Sequence, residues 1–305
     1  MDENAYQFYP DKNEIETWIE DIWHLADQTS MEVEILADNG WRNNYGAFHM
    51  SSNHYVKFSP KGMTPFYGIW QPVLNGPAPL VVHLPGYGAE MSHHPDVATQ
   101  GFSLLNLSPL GYWTPDGLDC SLQKEGNWPV LPDTITTKAE GGYKLWLLNC
   151  VMAVKWAWEQ STVIANRVSF FGTSQGGGTA LLLGSVFKDR GIRCVAADEP
   201  FLTNYPLAAW RGAYIVAKDA FQQEPDKGSA WHSLGFADTI AHAARMTYPV
   251  LLTEGESDEI CPPDTVDTLY CKLPFTRSIT FLAGRGHGYN YEFIRLVCAW
   301  FRLYA

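Results

Sequence analysis

One stretch constrains this chain more than any other: Gly172-Thr173-Ser174-Gln175-Gly176-Gly177-Gly178. It directly follows the apolar run Val168 to Phe171. It leads into Thr179-Ala180-Leu181-Leu182-Leu183, which reads as the start of an apolar helix. A strand that becomes a helix across Gly-x-Ser-x-Gly has few ways to fold. The glycines permit a tight turn and a close approach of helix to strand. Such a turn lifts Ser174 out of the sheet, and the helix N-terminus beneath it favours developing negative charge. A bare five-residue match is weak, but the flanking strand, helix and third glycine strengthen it. A phosphate loop fits poorly, because the stretch lacks a following Gly-Lys-Ser/Thr. The bland alternative is a glycine-rich turn carrying an inert serine.

The rest of the chain supplies a sheet for that turn. Apolar runs occur at Pro79 to Leu84, Phe102 to Leu107, Val168 to Phe171, Ile192 to Ala197, Val250 to Leu252 and Ser278 to Leu282. Helical patterns separate several of them, at Gly142 to Gln160, Gln175 to Lys188, Asp264 to Cys271 and Tyr291 to Phe301. Buried strands alternating with helices predict an α/β fold with a mainly parallel, doubly wound sheet covered on both faces. Ahead of it, Ile15, Trp18, Ile19, Ile22 and Trp23 form a helical stripe within Asn13 to Asp27. Met31 to Leu36, His54 to Phe58 and Pro65 to Pro72 read as short extended pieces. Turn residues such as Asp38-Asn39-Gly40 and Pro60-Lys61-Gly62 separate them, which predicts an antiparallel lead-in. Two inserts break the rhythm: Tyr112 to Thr137, expected to be irregular, and Leu202 to Thr247, expected to be short helices. One domain over 1–305 is predicted, with an N-terminal extension over 1–64 and a helical insert over 202–247.

Composition narrows the partners. The chain has 305 residues, of which 46% are hydrophobic and 18% charged, and its formal net charge is −12. The acidic balance argues against nucleic acid, anionic membranes and polyanionic substrates. Low charge with 12 Trp, 15 Tyr and 15 Phe suits a neutral partner or surfaces hidden in an assembly. Met1-Asp2-Glu3-Asn4 is acidic where a signal peptide is basic. No apolar run reaches the roughly 18 residues of a membrane span. Cys120, Cys150, Cys194, Cys261, Cys271 and Cys298 are scattered without a CxxC pair. Cys150, Cys194 and Cys298 sit in apolar runs and read as buried. A cytoplasmic location is the expectation. Asn106-Leu107-Ser108 matches a glycosylation triplet but falls in an expected buried strand.

A serine nucleophile needs a base, and in folds with this turn the chain order is Ser, then Asp or Glu, then His. His287 lies in Gly284-Arg285-Gly286-His287-Gly288, after the last strand and before the final helix, and is the candidate base. His232 and His242 fall in the helical insert and suit surface or structural roles. The orienting carboxylate should follow Val250 to Leu252. Asp258 is the choice there, and Glu254, Glu256 and Glu259 are competitors on spacing. An oxyanion hole needs two backbone N–H groups. Gln175 follows the nucleophile, and Tyr87 lies in Gly86-Tyr87-Gly88-Ala89 after the strand Leu80 to Leu84. No metal-ligand spacing or cofactor fingerprint is visible, and this chemistry requires neither.

These residues resemble the acetyl xylan esterase and cephalosporin-C deacetylase family of serine carbohydrate esterases, within the α/β-hydrolase superfamily. The resemblance runs from about Pro65 to the C-terminus. It rests on the Gly172 to Gly178 stretch, on Asp258-Glu259-Ile260-Cys261-Pro262-Pro263-Asp264-Thr265, and on Ala197-Asp198-Glu199-Pro200-Phe201-Leu202-Thr203-Asn204. It implies a triad of Ser174, Asp258 and His287, which agrees with the order read from the residues. It also implies deacetylation of small acetylated sugars or xylo-oligosaccharides and a homo-oligomer, hexameric in the family. Three departures stand out. The family's Arg-Gly-Gln is replaced within Ser108-Pro109-Leu110-Gly111-Tyr112. Its His-Gly before the oxyanion tyrosine is Pro85-Gly86, and the glutamate after its catalytic histidine is Gly288. These changes bear on the substrate rather than the chemistry.

Aromatic residues in Tyr112 to Trp128 and Tyr205 to Trp231 suit stacking on a neutral sugar ring. Trp113 and Trp210 are candidate platforms, with buried packing as their simpler explanation. The alternative activities are a general short-chain carboxylesterase or a serine peptidase of the same fold. A non-catalytic binding protein is the alternative of a different class.

Overall fold

The computed structural model describes residues 4–36, 54–87, 91–109 and 130–305. The expected turn Asp38-Asn39-Gly40, the platform Trp113, Cys120, Gly88, Ala89 and most of the 112–137 insert lie outside the described residues.

Nine strands form one sheet: β1 Met31–Leu36, β2 His54–Pro60, β3 Phe66–Gln71, β4 Ala78–Leu84, β5 Ser103–Ser108, β6 Val163–Thr173, β7 Ile192–Asp198, β8 Val250–Gly255 and β9 Arg277–Leu282. Their order is β1-β2-β3-β5-β4-β6-β7-β8-β9. The β1-β2, β2-β3 and β3-β5 pairs are antiparallel, and the remaining neighbours are parallel. The lead-in is therefore antiparallel and the catalytic half parallel, as the sequence pattern predicts. From β4 the chain crosses to β5 on one side and then to β6 on the other. The carboxyl ends of β4 and β6 thus flank the point where strand order reverses, the place where open α/β sheets bind ligands.

Seven helices cover the sheet or its upper edge: α1 Lys12–Gln28, α2 Pro95–Ala98, α3 Val130–Thr136, α4 Tyr143–Trp158, α5 Gln175–Val186, α6 Pro263–Lys272 and α7 Tyr291–Tyr304. Four shorter α-helices fill the 202–247 insert. Helix α3 corrects the expectation of irregular chain up to Thr137. It is short and begins where the Pro- and Gly-rich part ends. Helix α1 starts at a capping box, in which Asp11 accepts from the Asn13 and Glu14 amides and the Glu14 side chain accepts from the Asp11 amide. Its apolar stripe is buried. Trp18 Nε1 donates to Ala139 O at 2.9 Å and Trp23 Nε1 to Val186 O at 3.1 Å. The two indole N–H groups thus keep partners while their rings pack on the core.

The strands alternate between two apolar layers, as a period of two requires. Leu80, Val82, Leu84, Val168, Phe170, Val195, Ala197, Val250 and Leu252 face the layer of α1, α4, α5 and α6. Val81, Phe171, Cys194, Ala196 and Leu251 face the layer of α2 and α7, with Phe293, Ile294, Val297 and Phe301. Cys150 and Cys194 are buried as expected, but Cys298 is only partly buried, because it sits on the outer side of α7 beside Asp96. Asn106 is buried in β5, so the glycosylation triplet is inaccessible.

The glycine stretch is packed without room for side chains. A Cβ on Gly172 would lie 2.6 Å from Leu84 O and one on Gly177 2.8 Å from Asp198 O. A Cβ on Gly176 would collide with Leu84 O, and one on Gly178 with Phe201 O. The first turn of α5 therefore rests directly on the end of β4 and on the loop after β7. Gly178→Ala is expected to force that loop away and to destabilise the protein by ~1–3 kcal/mol, the usual cost of overpacking. Thermal unfolding of the variant beside wild type measures it.

Candidate active site

Ser174 sits between β6 and α5 with φ 58° and ψ −119°, a backbone region that a non-glycine residue rarely occupies. Its strained geometry is held by three backbone hydrogen bonds. The Ser174 amide donates to Asp198 O at 2.8 Å, and Ser174 O accepts from the Gly178 and Phe201 amides at 3.0 Å each. The hydroxyl thereby reaches the mouth of a cavity of about 570 Å³. Tyr87, Gln175 and His287 line the same cavity. The loop carrying Tyr87 is close to the nucleophile, since a Cβ on Gly86 would lie 3.9 Å from Ser174 Cβ. Gln175 is the first residue of α5, and its side-chain amide donates to Tyr143 Oη at 2.9 Å.

Asp258 and His287 are joined directly. His287 Nδ1 lies 2.7 Å from Asp258 Oδ2. The other oxygen, Oδ1, accepts from the amides of Ile260 at 2.7 Å and Cys261 at 2.9 Å. With Nδ1 committed to a carboxylate, the imidazole's Nε2 is left available for proton transfer. The Ser174 hydroxyl is not hydrogen-bonded to His287 here and lies 4.0 Å from Cys261 Sγ. Such contacts commonly tighten only when substrate is bound. The competing acids are placed elsewhere. Glu259 is exposed, Glu256 accepts from the Gly284 amide, and Glu254 is fully buried beside Asp258 with no donor to its oxygens.

A second carboxylate, not assigned a role from sequence, also reaches the base. Glu199 Oε2 lies 3.2 Å from His287 Nδ1. It accepts from the Gly288 amide at 2.8 Å, and Oε1 accepts from Asn290 Nδ2 at 3.0 Å. Glu199 has φ 43°, so the chain is bent after β7 to aim this side chain inward. Its sequence signal was an acidic pair directly after the apolar run Ile192 to Ala197. Gly288, the departure from the family's glutamate, has φ 152°, a conformation that favours glycine.

Four carboxyl groups thus surround one imidazole, and burial sorts them. Burial, helped by Asp258 and Glu199, pushes Glu254 up to about 10. Burial and the neighbouring Glu199 push Asp198 up to about 8, against the hydroxyls of Thr253 (2.5 Å) and Thr173 (3.1 Å). Glu254 is therefore neutral near pH 7. Burial also raises Glu199, while the Gly288 amide and His287 draw it back down. For His287, burial favours the neutral ring. The Asp258 hydrogen bond and the charges of Asp258, Glu199 and Asp198 outweigh it and raise the pKa above 6.5.

Asp258, Cys261 and His287 also place an oxygen, a sulfur and a nitrogen within 4.8 Å of one another, a spacing that a metal ion accepts. The donor chemistry fits poorly. Both Asp258 oxygens are already engaged. Burial, with Asp258 and Glu254 nearby, pushes the Cys261 thiol well up, whereas a metal needs the thiolate.

The other histidines fall where the sequence suggested. His242 is buried between Ser185 Oγ (2.9 Å) and Phe236 O (3.0 Å), and His232 meets Glu14 at 3.2 Å. Trp210 does not line the cavity. It stacks on Trp231 with centroids 5.7 Å apart, so packing explains it.

The model of the acetyl xylan esterase (AXE1) family matches residues 54–302. The fold is similar to that of acetyl xylan esterase 1 from Thermoanaerobacterium sp. JW/SL YS485, with TM-score 0.76 and 19% identity over 95% of this chain and 93% of that one. It is also similar to acetyl xylan esterase from Paenibacillus sp. R4, with TM-score 0.75 and 19% identity over 100% of both chains. Dienelactone hydrolase from Anabaena variabilis is more distant, with TM-score 0.51 and 14% identity over 80% of this chain and 94% of that one. At these identities the solved structures speak for the α/β-hydrolase fold.

If Glu199 raises the pKa of the base, the acid limb of kcat/KM should lie above the ordinary imidazole value. Protonation of His287 removes the base, so activity rises as pH passes its pKa. Glu199→Gln removes one negative charge from Nδ1, and the limb is expected to move to lower pH. A pH–rate profile of both proteins checks this. An unshifted limb would mean that Glu199 acts on structure alone.

Proposed function

The chain belongs to the acetyl xylan esterase family, and from that premise we propose that Ser174, His287 and Asp258 carry out the hydrolysis of acetyl esters on sugars. The chain is an esterase. The carrying observation is the 2.7 Å contact of His287 with buried Asp258, beside a serine held at positive φ on the wall of one cavity.

Ser174 Oγ attacks the acetyl carbonyl while His287 Nε2 takes its proton. Asp258 keeps Nδ1 protonated and stabilises the imidazolium that forms. The amides of Tyr87 and Gln175 hold the oxyanion. The imidazolium then gives its proton to the departing sugar hydroxyl, leaving an acetyl-enzyme. Water, activated by the same base, attacks that ester and releases acetate and free Ser174. Nothing in this sequence calls for a cofactor.

A general carboxylesterase is the second reading, favoured by apolar lining residues such as Phe201, Val216 and Ile260. An acyl-chain series on activated esters, run beside acetylated xylo-oligosaccharides, separates the two. Acetyl preference with sugar turnover supports the deacetylase. A preference for longer chains without sugar turnover supports the second reading. Ser174→Ala is expected to lower kcat by about 10⁴-fold or more in either case. Retained activity in that variant would sink the proposed triad.

The proposal treats residues 1–305 as one catalytic domain, with the 202–247 insert supplying Ala213 and Val216 to the cavity wall. A homo-oligomer is proposed from the family alone. Sedimentation should then give a mass well above 34.2 kDa, and a monomer at micromolar concentration would refute it. Among the described residues no helix is long and apolar enough to cross a membrane. Free Cys150, Cys194, Cys261, Cys271 and Cys298 support a reducing compartment such as the cytoplasm.

A further inference from the structure

The cavity is larger than an acetyl group requires, and it has two walls. Val130, Leu131, Tyr143, Phe201 and Ala213 line one side, over the layer of α1, α4 and α5. His83, His94, Phe171, Phe293 and Ile294 line the other, over the layer of α7. Two histidines make this second wall unusual. His83 belongs to β4 and shares its face with Val81, while His94 immediately precedes α2. They are 8% and 6% exposed. Their ring centroids are 4.0 Å apart, and they lie 4.8 and 5.1 Å from the Phe171 ring.

His83 Nδ1 and His94 Nε2 are both buried without a hydrogen-bond partner. Such atoms are costly to leave unsatisfied, and native proteins rarely do so without a purpose. Burial holds both rings neutral, with His94 pushed down to about 3. A neutral imidazole offers one donor and one acceptor. The proposed chemistry at Ser174 uses neither residue.

We propose that this wall is a subsite for the alcohol half of the ester, a neutral sugar ring whose hydroxyls bond the His83 and His94 rings while its C–H face packs on Phe171 and Phe293. The inference rests on the sugar-ester reading above. The acetyl half carries no hydroxyl that could use these nitrogens, and the alcohol half carries several. Neutral rings give no compensation to an anionic sugar, and the carboxylates Asp258 and Glu199 at the same site disfavour one.

The test uses an acetylated methyl xyloside and p-nitrophenyl acetate, whose leaving group has no sugar hydroxyls. His83→Leu and His94→Leu are measured with both, alongside His83→Gln and His94→Gln. The expected result is a rise in KM for the xyloside that exceeds the change on p-nitrophenyl acetate by about ten-fold, the loss of one good hydrogen bond. The glutamine variants should recover part of it, and they carry the comparison if the leucine variants do not fold. Equal effects on both substrates, or none on either, would overturn the subsite. If wild type cleaves the activated ester but no acetylated sugar, the sugar-ester reading fails and the subsite fails with it. If wild type deacetylates the xyloside and all variants keep its selectivity, only the subsite fails.

Discussion

The site depends on backbone contacts that leave no room for a Cβ. The first turn of α5 lies against Leu84 O through Gly176 and against Phe201 O through Gly178. Those two carbonyls belong to the loops on either side of Ser174. One loop carries Gly86 and Tyr87, and the other carries Glu199. The glycines therefore set more than the turn. They fix the distance between the nucleophile, the amides beside it and a carboxylate that reaches the base. Ser174 itself remains at positive φ because its amide and carbonyl are tied to the end of β7, to the loop after it and to the first turn of α5. Strain of this kind persists only where the surroundings over-determine it.

Electrostatics follow from that packing. Asp198, Glu199, Glu254 and Asp258 converge at the carboxyl ends of β7 and β8, all essentially without solvent. Four buried negative charges would repel strongly, so some groups take up protons. The partners decide which. Asp258 has two backbone amides and an imidazole, and Glu199 has an amide, an asparagine and the same imidazole. Glu254, with no donor to its oxygens and Asp258 beside it, is held neutral. The result is one imidazole facing two carboxylates through a single nitrogen. That arrangement fixes the tautomer more firmly than one carboxylate does, and it raises the basicity of the ring.

Much of this was legible in the residues. Strands β4 to β9 follow the six apolar runs, because buried parallel strands in an α/β sheet read as continuous hydrophobic segments, and β1 to β3 follow the three extended pieces. Strand β6 begins earlier than its apolar run, since Ile164, Ala165 and Asn166 are exposed and carry no burial signal. Asp258 and His287 were chosen by chain order and loop position, and the fold brings them to 2.7 Å. Glu199 was seen only as part of a motif. A carboxylate after a strand looks like any solvated loop acid until the bend at φ 43° is known. The pairing of His83 with His94 was not legible either. It depends on which face of β4 His83 takes and on a loop that returns over that face.

That facing of β4 bears on what the enzyme can accept. Val82 and Leu84 point to one apolar layer, and Val81 and His83 to the other. The carboxyl end of a single strand thus separates the two walls of the cavity, with the Tyr87 loop directly beyond it. An ester bound at Ser174 has two substituents, and the sheet offers each a different environment. The wall toward α4 and the helical insert is apolar apart from Tyr143 and the Gln175 amide bonded to it. The wall toward α7 combines aromatic rings with two neutral, unsatisfied imidazoles. An acyl group without polar atoms costs least against the first, because burying it strands no donor or acceptor. A polyhydroxylated alcohol costs least against the second, because its hydroxyls can replace lost water contacts there. The direction in which an ester lies across Ser174 is then set by the alternation of β4.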